Sequence, residues 1–269
     1  MTLPSEKRGM RTSMTEVSIP RIKAGTIVRD LKITAPDEIS IEDIAWTRGA
    51  LVIEDGLRGA DARLIHTPGI RPAIIRVNAT ISPPGRKRFA IAHELGHLEL
   101  KHSPGGLIEC ADREFLLWYK SQNEKEVEAN VFAAELLMPE KFFSRKLEKT
   151  LPSMELVELL AEEFQTTLTA AAIRYIDLCG ERCALVFSTD GVIVWSHRSP
   201  ELHHWIPPKR KLSSFSYAAD FFSKGTVPRN METVRLDAWV EGGSEWEQMK
   251  EQSRALSSYN SVLTLLWLP

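Results

Sequence analysis

One short segment of the chain carries side chains that could hold a metal ion. Residues 92–97 read Ala-His-Glu-Leu-Gly-His, inside a stretch rich in Ala, Leu, Glu and Lys that predicts a helix over about residues 86–100. His93 and His97, four residues apart, would project from one face of that helix at a separation that one ion can bridge. Zinc accepts this geometry and brings the pKa of water to roughly 7, so Glu94 could act as a general base. The pattern predicts metal-assisted hydrolysis.

A pattern with two free positions also arises by chance, and a histidine is more often a structural residue than a metal ligand. The residues around this motif are mostly apolar and predict a buried helix. They are Phe89, Ile91, Ala92, Leu95 and Leu98. Burial of two histidines and a glutamate is costly unless they bind something. The setting therefore favours metal binding.

A catalytic zinc site needs a third protein ligand, and three glutamates of a second predicted helix, Glu124, Glu126 and Glu128, are the candidates. Glu126 shares a helix face with small and amide residues, which would let this helix lie close to the first one. Those neighbours are Ala129, Asn130 and Ala133. Glu128 lies on a face with a second acid, Glu135, which indicates that this face is partly exposed. Glu124 lies near the start of the helix, where an acid interacts favourably with the helix dipole and needs no metal to explain it. Helix faces therefore favour Glu126.

Other polar residues near the motif have weaker claims. Asn130, four residues after Glu126, could hydrogen-bond the first helix or a ligand, and a packing role is equally open. His102 falls off the face that the histidine pair defines, so we do not expect it to be a ligand, although a role in stabilising a transition state is open. Three further acids stay in reserve as ligands, namely Glu99, Glu109 and Asp112.

Length and composition indicate the class of protein and the number of domains that carry these residues. The 269 residues, 43% hydrophobic and 26% charged, are typical of a folded chain with two modest domains, and they exclude disorder and a membrane protein. Three cysteines without a CxxC pair suit a reducing compartment, and neither a signal sequence nor a run of roughly 20 apolar residues is evident. We expect a cytoplasmic protein.

The pattern along the chain predicts an α+β fold. A strand at residues 51–53 and a hairpin over residues 63–78 precede the metal helix, and a hairpin over residues 184–195, with an Asp-Gly turn, opens a β-rich region that closes with a strand over residues 261–267. We divide the chain into a flexible tail (1–24), a metal-binding domain (25–140), a helical segment (141–180) and a C-terminal β-rich domain (181–269).

Residues 153–178 have a helix-turn-helix outline, which raises the alternative of a DNA- or protein-binding regulator with a structural or vestigial metal site. The second helix, residues 168–178, offers Arg174 as its single basic residue. Recognition helices need more donors for bases and phosphates than that. The net charge of −2 also gives no overall attraction to nucleic acid, so direct DNA binding is not expected.

At these residues the chain resembles the ImmA/IrrE family of bacterial and phage metallopeptidases. Residues 88–97 follow its pattern R-F-x-x-A-H-E-x-x-H, and residues 126–139 follow E-x-x-A-N-x-x-A-x-x-L-L-M-P. The similarity extends over about residues 25–180 and implies a zincin-like core with a small mixed sheet. By this resemblance His93, His97 and Glu126 would bind Zn²⁺, or another divalent ion such as Mn²⁺, and Glu94 would be the catalytic base.

The same resemblance implies a protein substrate. Members of the family typically cleave a repressor that has its own helix-turn-helix domain, which induces stress-response or mobile-element genes; an antitoxin is an alternative target. Extended substrate would pair with the strand before the metal helix, through residues such as Ile75 and Val77. The alternative is that this strand only completes the sheet. Some relatives carry a C-terminal sensory domain of the GAF type, although the tryptophans in this region are more often core residues.

Overall fold

A computed structural model describes residues 18–102, 106–111, 123–256 and 259–269. The described chain forms helices and two separate sheets, which confirms the α+β class. The helices are α1 (Ile19–Asp30), α2 (Ile41–Thr47), α3 (Pro84–Glu99), α4 (Glu124–Leu137), α5 (Glu140–Leu147), α6 (Met154–Glu163), α7 (Leu168–Leu178) and α8 (Ala218–Lys224). The strands are β1 (Ala50–Asp55), β2 (Ala60–His66), β3 (Ala73–Asn78), β4 (Gly106–Ala111), β5 (Cys183–Thr189), β6 (Val192–Arg198), β7 (Glu232–Arg235), β8 (Gln248–Leu256) and β9 (Ser261–Trp267).

The first sheet is mixed, with strand order β1-β3-β2-β4. β1 runs parallel to β3, and β2 is antiparallel to both of its neighbours, so the predicted hairpin over residues 63–78 is present as β2 and β3. Helix α3 packs against β2 and β3, and it contacts α4 on its other side. The sheet therefore supports the helix that carries the histidine pair.

The predicted pairing of substrate with β3 is wrong. β3 lies inside the sheet, where β1 and β2 occupy both of its hydrogen-bonding edges. Ile75 and Val77 are completely buried, because alternate side chains of the strand point into the core. The strand completes the sheet, and in the described part of the chain the free edges belong to β1 and β4.

The predicted tail of residues 1–24 is too long. Residues 1–17 lie outside the described part of the chain, but α1 begins at Ile19, with Pro20 in its first turn. Ala24, Ile27 and Val28 are buried, and α1 packs against α4. The spacing of these three residues is that of one helix face, and the polar residues between them hid the periodicity.

Two helices of the segment that follows α4, namely α6 and α7, begin at capped N-termini. The Ser153 hydroxyl accepts a hydrogen bond from the backbone N–H of Leu156, and Thr167 does the same for Ala170. α6 and α7 thus begin after these two caps, and α7 has the predicted bounds of residues 168–178. A left-handed residue, Gln165, reverses the chain between the two helices.

The second sheet is antiparallel throughout, with strand order β6-β5-β9-β8-β7. β5 and β6 form the predicted hairpin, whose turn residues Asp190 and Gly191 both have positive φ, as a type I′ turn requires. The predicted closing strand is β9. Of the tryptophans in this region, Trp195 and Trp239 are completely buried, whereas Trp246 is 87% exposed.

The predicted boundary near Gly180 lies in the connection between α7 and β5. One hydrophobic core nevertheless runs across it, because side chains of the second sheet pack with those of the helices. The contributors from the second sheet are Cys183, Leu185, Phe187, Trp195, Leu263 and Leu265. A smaller core lies on the opposite face of that sheet, around Trp239. Within the described ranges, each helix is too short or too polar to cross a bilayer.

Candidate metal centre

Close packing of two helices builds the site. His93 and His97 lie on α3, and α4 passes directly over them because Gly96 has no side chain. A Cβ atom at Gly96 would lie 3.1 Å from the Phe132 ring and 3.2 Å from the backbone of Ala129 on α4. This approach brings Glu126, in the first turn of α4, to the histidine pair.

Three donor atoms converge at this crossing. His93 Nε2 and His97 Nε2 are 3.0 Å apart. Glu126 Oε2 lies 3.1 Å from His93 Nε2, and Glu126 Oε1 lies 3.4 Å from His97 Nε2. Each residue has a ligand atom within 4.8 Å of those of the other two, so one ion can contact all three. Glu124, by contrast, is exposed at the start of α4.

The hydrogen bonds behind the histidines fit a metal ion at their Nε2 atoms. Asn130 Oδ1 lies 2.7 Å from His93 Nδ1. An amide oxygen only accepts, so His93 Nδ1 carries the proton and donates it, which leaves the Nε2 lone pair directed at the centre. Two imidazole nitrogens with one carboxylate oxygen are a donor set that zinc favours, and three protein ligands leave a fourth position open.

The charges of the site also fit a cation. Burial would raise the pKa of Glu126, but its contacts with the His93 and His97 rings outweigh burial, so the pKa of this carboxyl lies well below its ordinary value. Burial lowers the pKa of His97, whereas the Glu126 hydrogen bond and the Glu94 charge outweigh burial and raise that of His93. Glu126 is therefore an anion at neutral pH, which suits a ligand of a cation.

Glu94, next to His93, is completely buried. The Glu94 charge is one of the causes that raise the pKa of His93. A buried carboxylate close to a metal site can accept a proton from a water there. The site thus combines three converging donors that could hold a metal with a buried carboxyl adjacent in sequence to one of them.

Two residues that the sequence analysis weighed and set aside as ligands, His102 and Glu128, lie behind His97. His102 Nδ1 lies 2.9 Å from His97 Nδ1, and its Nε2 lies 2.8 Å from Glu128 Oε2. His102 lies outside the group of three converging donors, but it contacts one of them, His97. The signal for this contact is weak in the sequence, because the turn that returns His102 to His97 has Lys101 at a position with φ of +59°, where glycine is usual.

Of the three reserve carboxylates, the structure describes the side chain of Glu99, which does not join the site. Glu99 forms a two-bond ion pair with Arg48, at 2.7 and 3.0 Å. Asp112 and the side chain of Glu109 lie outside the described part of the chain. Glu135, expected to be partly exposed, is buried instead, because it forms an ion pair with Arg174.

That ion pair also bears on the helix-turn-helix outline. Arg174 is 3% exposed, and its Nε donates to the carbonyl oxygen of Met138, 3.1 Å away. The single basic side chain of α7 therefore ties α7 to the end of α4 and is not presented to solvent. In this arrangement α7 lacks the cationic surface of a recognition helix.

Comparisons with known proteins agree with this geometry. Residues 48–175 match the model of the peptidase M78 family, described as the IrrE N-terminal-like domain, which confirms the resemblance over that part of the chain. No curated protein matches the chain. Among solved structures, a Mycobacterium tuberculosis transcriptional regulator is similar, with a TM-score of 0.60 over 92% of this chain and 75% of that one. At 15% identity this likeness shows the fold alone.

Proposed function

We propose that this protein, whose residues 48–175 match the IrrE N-terminal-like domain of the peptidase M78 family, is a zinc-dependent endopeptidase that cleaves a specific regulatory protein. The observation that carries this proposal is the convergence of His93, His97 and Glu126 beside the buried Glu94. A purely structural zinc site is usually closed by four protein ligands, whereas a catalytic one keeps a position open. Three ligands with an adjacent base favour catalysis.

His93, His97 and Glu126 would hold the ion. When bound, zinc supplies Lewis acidity, which polarises a scissile carbonyl and makes water nucleophilic at neutral pH. Mn²⁺ is the alternative ion for the same donors, although two imidazoles favour zinc over a harder cation.

Glu94 would act as the general base and then the general acid. Its carboxylate accepts a proton from the attacking water and afterwards donates it to the leaving amine, so the proton balance closes within one turnover. Burial suits this cycle, because a carboxyl shielded from solvent is a stronger base than an exposed one. His93 and His97 remain neutral ligands, and Asn130 keeps His93 in the required tautomer.

The substrate that we propose is a helix-turn-helix transcriptional repressor, whose cleavage would induce stress-response or mobile-element genes in the cytoplasm. Resemblance to the ImmA/IrrE family supports this substrate, and an antitoxin would suit the same chemistry. We also propose that the C-terminal region, residues 181–269, is a separate domain in topology, since its sheet shares no strand with the first one.

The second candidate is a regulator whose metal site is structural. One observation favours it, namely the similarity in fold to a protein named as a transcriptional regulator. The buried Arg174 weighs against direct DNA reading by α7. The two candidates differ in what Glu94 does, because a structural site needs no general base.

The Glu94→Gln variant separates the two. We expect it to bind zinc as the wild type does and to lose cleavage of its repressor substrate by about 10²–10⁴-fold, the usual contribution of a general base. Glu124→Gln, at an exposed position at the start of α4, is the matched control and should cleave normally. Full cleavage by Glu94→Gln would contradict the proposal.

The same inactive variant identifies the substrate. Zinc-loaded Glu94→Gln protein should retain the bound substrate without cleaving it, so affinity capture followed by mass spectrometry would enrich one regulatory protein. Adding that protein to the wild type should then yield two fragments, and a chelator should abolish them. Enrichment of DNA in place of a protein would favour the second candidate.

A further inference from the structure

We propose that His102 and Glu128 are positioning residues that hold the ligand His97 in the tautomer and orientation needed for metal binding. The proposal rests on the proposed zinc site and assigns a role to two residues outside the ligand set. The observation behind it is a continuous chain of hydrogen-bonding contacts, from Glu128 through His102 to His97.

The end of α3 places His102 by backbone geometry. The N–H of His102 donates to the carbonyl oxygen of His97 at 3.0 Å, and the N–H of Lys101 donates to that of Leu98 at 3.2 Å. This pair of bonds is a Schellman motif, with Lys101 at the left-handed position. The motif links residues five apart, so His102 returns to His97 although it lies off the face of the histidine pair.

If His97 Nε2 is to bind a metal, hydrogen-bond chemistry allows one consistent assignment of protons along the chain. A carboxylate can only accept, so His102 Nε2 donates to Glu128 Oε2 across 2.8 Å. A neutral His102 then has a lone pair at Nδ1, which accepts the proton of His97 Nδ1 across 2.9 Å. His97 Nε2 is left with its lone pair toward the ligand cluster. Each contact in the chain thus determines the tautomer of the next ring.

Burial makes this support effective. His97 and His102 are 1% and 8% exposed, so water does not compete strongly for their shared proton. The Glu128 side chain is about half-exposed, with 49% of its surface accessible, and lies at the outer end of the chain of contacts. A partner of this kind orients a ligating histidine and increases the basicity of its metal-bound nitrogen.

Helix α4 supplies both the third ligand and the support. Glu126 and Glu128 lie two residues apart, and Lys125 Nζ donates to the backbone oxygen of His102 at 3.0 Å. Glu126, in the first turn of α4, therefore contacts the histidine pair, while Lys125 and Glu128 hydrogen-bond to His102 behind His97. The two histidines are held differently, since His93 is supported by the neutral amide of Asn130.

A merely structural role is the competing explanation, because His102 also joins the end of α3 to α4. Three variants of the full-length protein separate the two roles. His102→Phe keeps the volume but removes both ring nitrogens, His102→Asn keeps an acceptor near the position of Nδ1, and Glu128→Ala removes the outer charge. Glu124→Gln on the same helix is the matched control.

The readouts are zinc affinity from chelator competition, the visible spectrum of the Co²⁺-substituted protein, and thermal unfolding of the metal-free protein. We expect His102→Phe to weaken zinc binding by about 10–100-fold and to change the Co²⁺ spectrum, because His97 loses its tautomer and orientation. His102→Asn should restore most of the affinity. Glu128→Ala should weaken it by less than His102→Phe, and the control should match the wild type.

Three outcomes would overturn the proposal. If His102→Phe binds zinc as tightly as the wild type, the pair does not position His97. If His102→Phe and His102→Asn lose affinity equally, in step with a lower unfolding temperature, the role is structural. If the wild type itself binds neither zinc nor Co²⁺, the proposed function fails together with this inference, whereas loss of peptide cleavage alone would leave the affinity comparison intact.

Discussion

His93 and His97 direct their Nε2 atoms to one point because each ring is held from behind at Nδ1. Asn130 holds the first ring and His102 the second. Two imidazole rings four residues apart on a helix could otherwise rotate about their side-chain bonds, and the loss of that freedom would oppose metal binding. Because Asn130 and His102 already fix the two rings in the folded protein, this entropy is lost on folding and not on metal binding. The ligand atoms are therefore preorganised.

Asn130 offers a test at the residue scale. Asn130→Leu removes the acceptor for His93 Nδ1–H and should weaken zinc binding by about 10–100-fold. Asn130→Asp keeps an acceptor at the same place and should bind zinc at least as tightly as the wild type. Chelator competition measures both affinities, and equal affinities for the Leu and Asp variants would contradict the role of the side-chain oxygen.

At the scale of elements, the site depends on the distance between α3 and α4. Gly96→Ala would place a methyl group 3.1–3.2 Å from Phe132 and the backbone of Ala129, closer than carbon atoms normally pack. We expect this change to lower the free energy of unfolding by about 1–3 kcal/mol and to weaken zinc binding, because α4 must move outward with Glu126.

Gly25→Ala is the control for that substitution. Gly25 lies in α1, and a Cβ atom there would meet nothing within 4 Å. The variant should keep its metal affinity and gain up to about 1 kcal/mol in stability, since alanine restricts the unfolded chain. Urea unfolding and zinc affinity measured on both variants test the comparison. An unchanged affinity in Gly96→Ala would show that helix separation does not limit the site.

Strand β8 carries a buried acid that makes stability depend on pH. Glu251 is 1% exposed, and burial raises its pKa to about 7, even though it accepts hydrogen bonds from Trp239 Nε1 at 2.7 Å and the N–H of Ala218 at 2.6 Å. The folded state therefore binds this proton more tightly than the unfolded state does. Its contribution to stability is complete below about pH 4.5 and is lost as the pH rises through 7.

We predict that Glu251→Gln removes this pH dependence. Between pH 5 and 8 the wild type should lose about 2–3 kcal/mol more stability than the variant does, as follows from the shift in pKa. Exposed Glu247 provides the control. Glu247→Gln should lose as much free energy of unfolding between pH 5 and pH 8 as the wild type does. Urea unfolding at pH 5 and at pH 8 measures the free energy of unfolding of each protein. Equal losses of stability in the wild type and in Glu251→Gln would contradict the prediction.

At the scale of the whole molecule, the helices and the second sheet share one core. Besides the apolar contacts across residue 180, polar residues of β8 bind α6 directly. Gln252 Oε1 accepts from the N–H of Met154 at 2.8 Å, and Arg254 forms ion pairs with Glu155 and Glu158 at 2.7 and 2.6 Å. These contacts couple the two halves of the chain.

We therefore predict a single cooperative unfolding transition, although the chain has two separate sheets. Far-UV circular dichroism is dominated by the helices, and seven of the eight described α-helices precede residue 180. Five of the seven tryptophans, and so most of the intrinsic fluorescence, lie in residues 181–269, and the two signals should change at the same urea concentration. Gln252→Ala should shift both curves together to lower urea. Two separate transitions would show that residues 181–269 unfold independently.

The chemistry of the site could be predicted from the sequence because it depends on local order. His93, Glu94 and His97 occupy one helix, and 3.6 residues per turn determine which of their side chains share a face. Glu126 followed from the same periodicity on α4, and the hairpins and α7 followed from turn residues, caps and alternation. These features need only the near neighbours in the chain.

Contacts between distant residues were decided by the tertiary structure. The place of β3 in the middle of the sheet excluded the predicted role of Ile75 and Val77, because strand order is not encoded in the strand itself. Two further contacts likewise depend on how helices and turns pack together. They are the buried ion pair of Arg174 with Glu135, and the contacts of His102 with His97 and Glu128. Local periodicity thus determined which residues could bind a metal, whereas long-range packing determined how those residues are held.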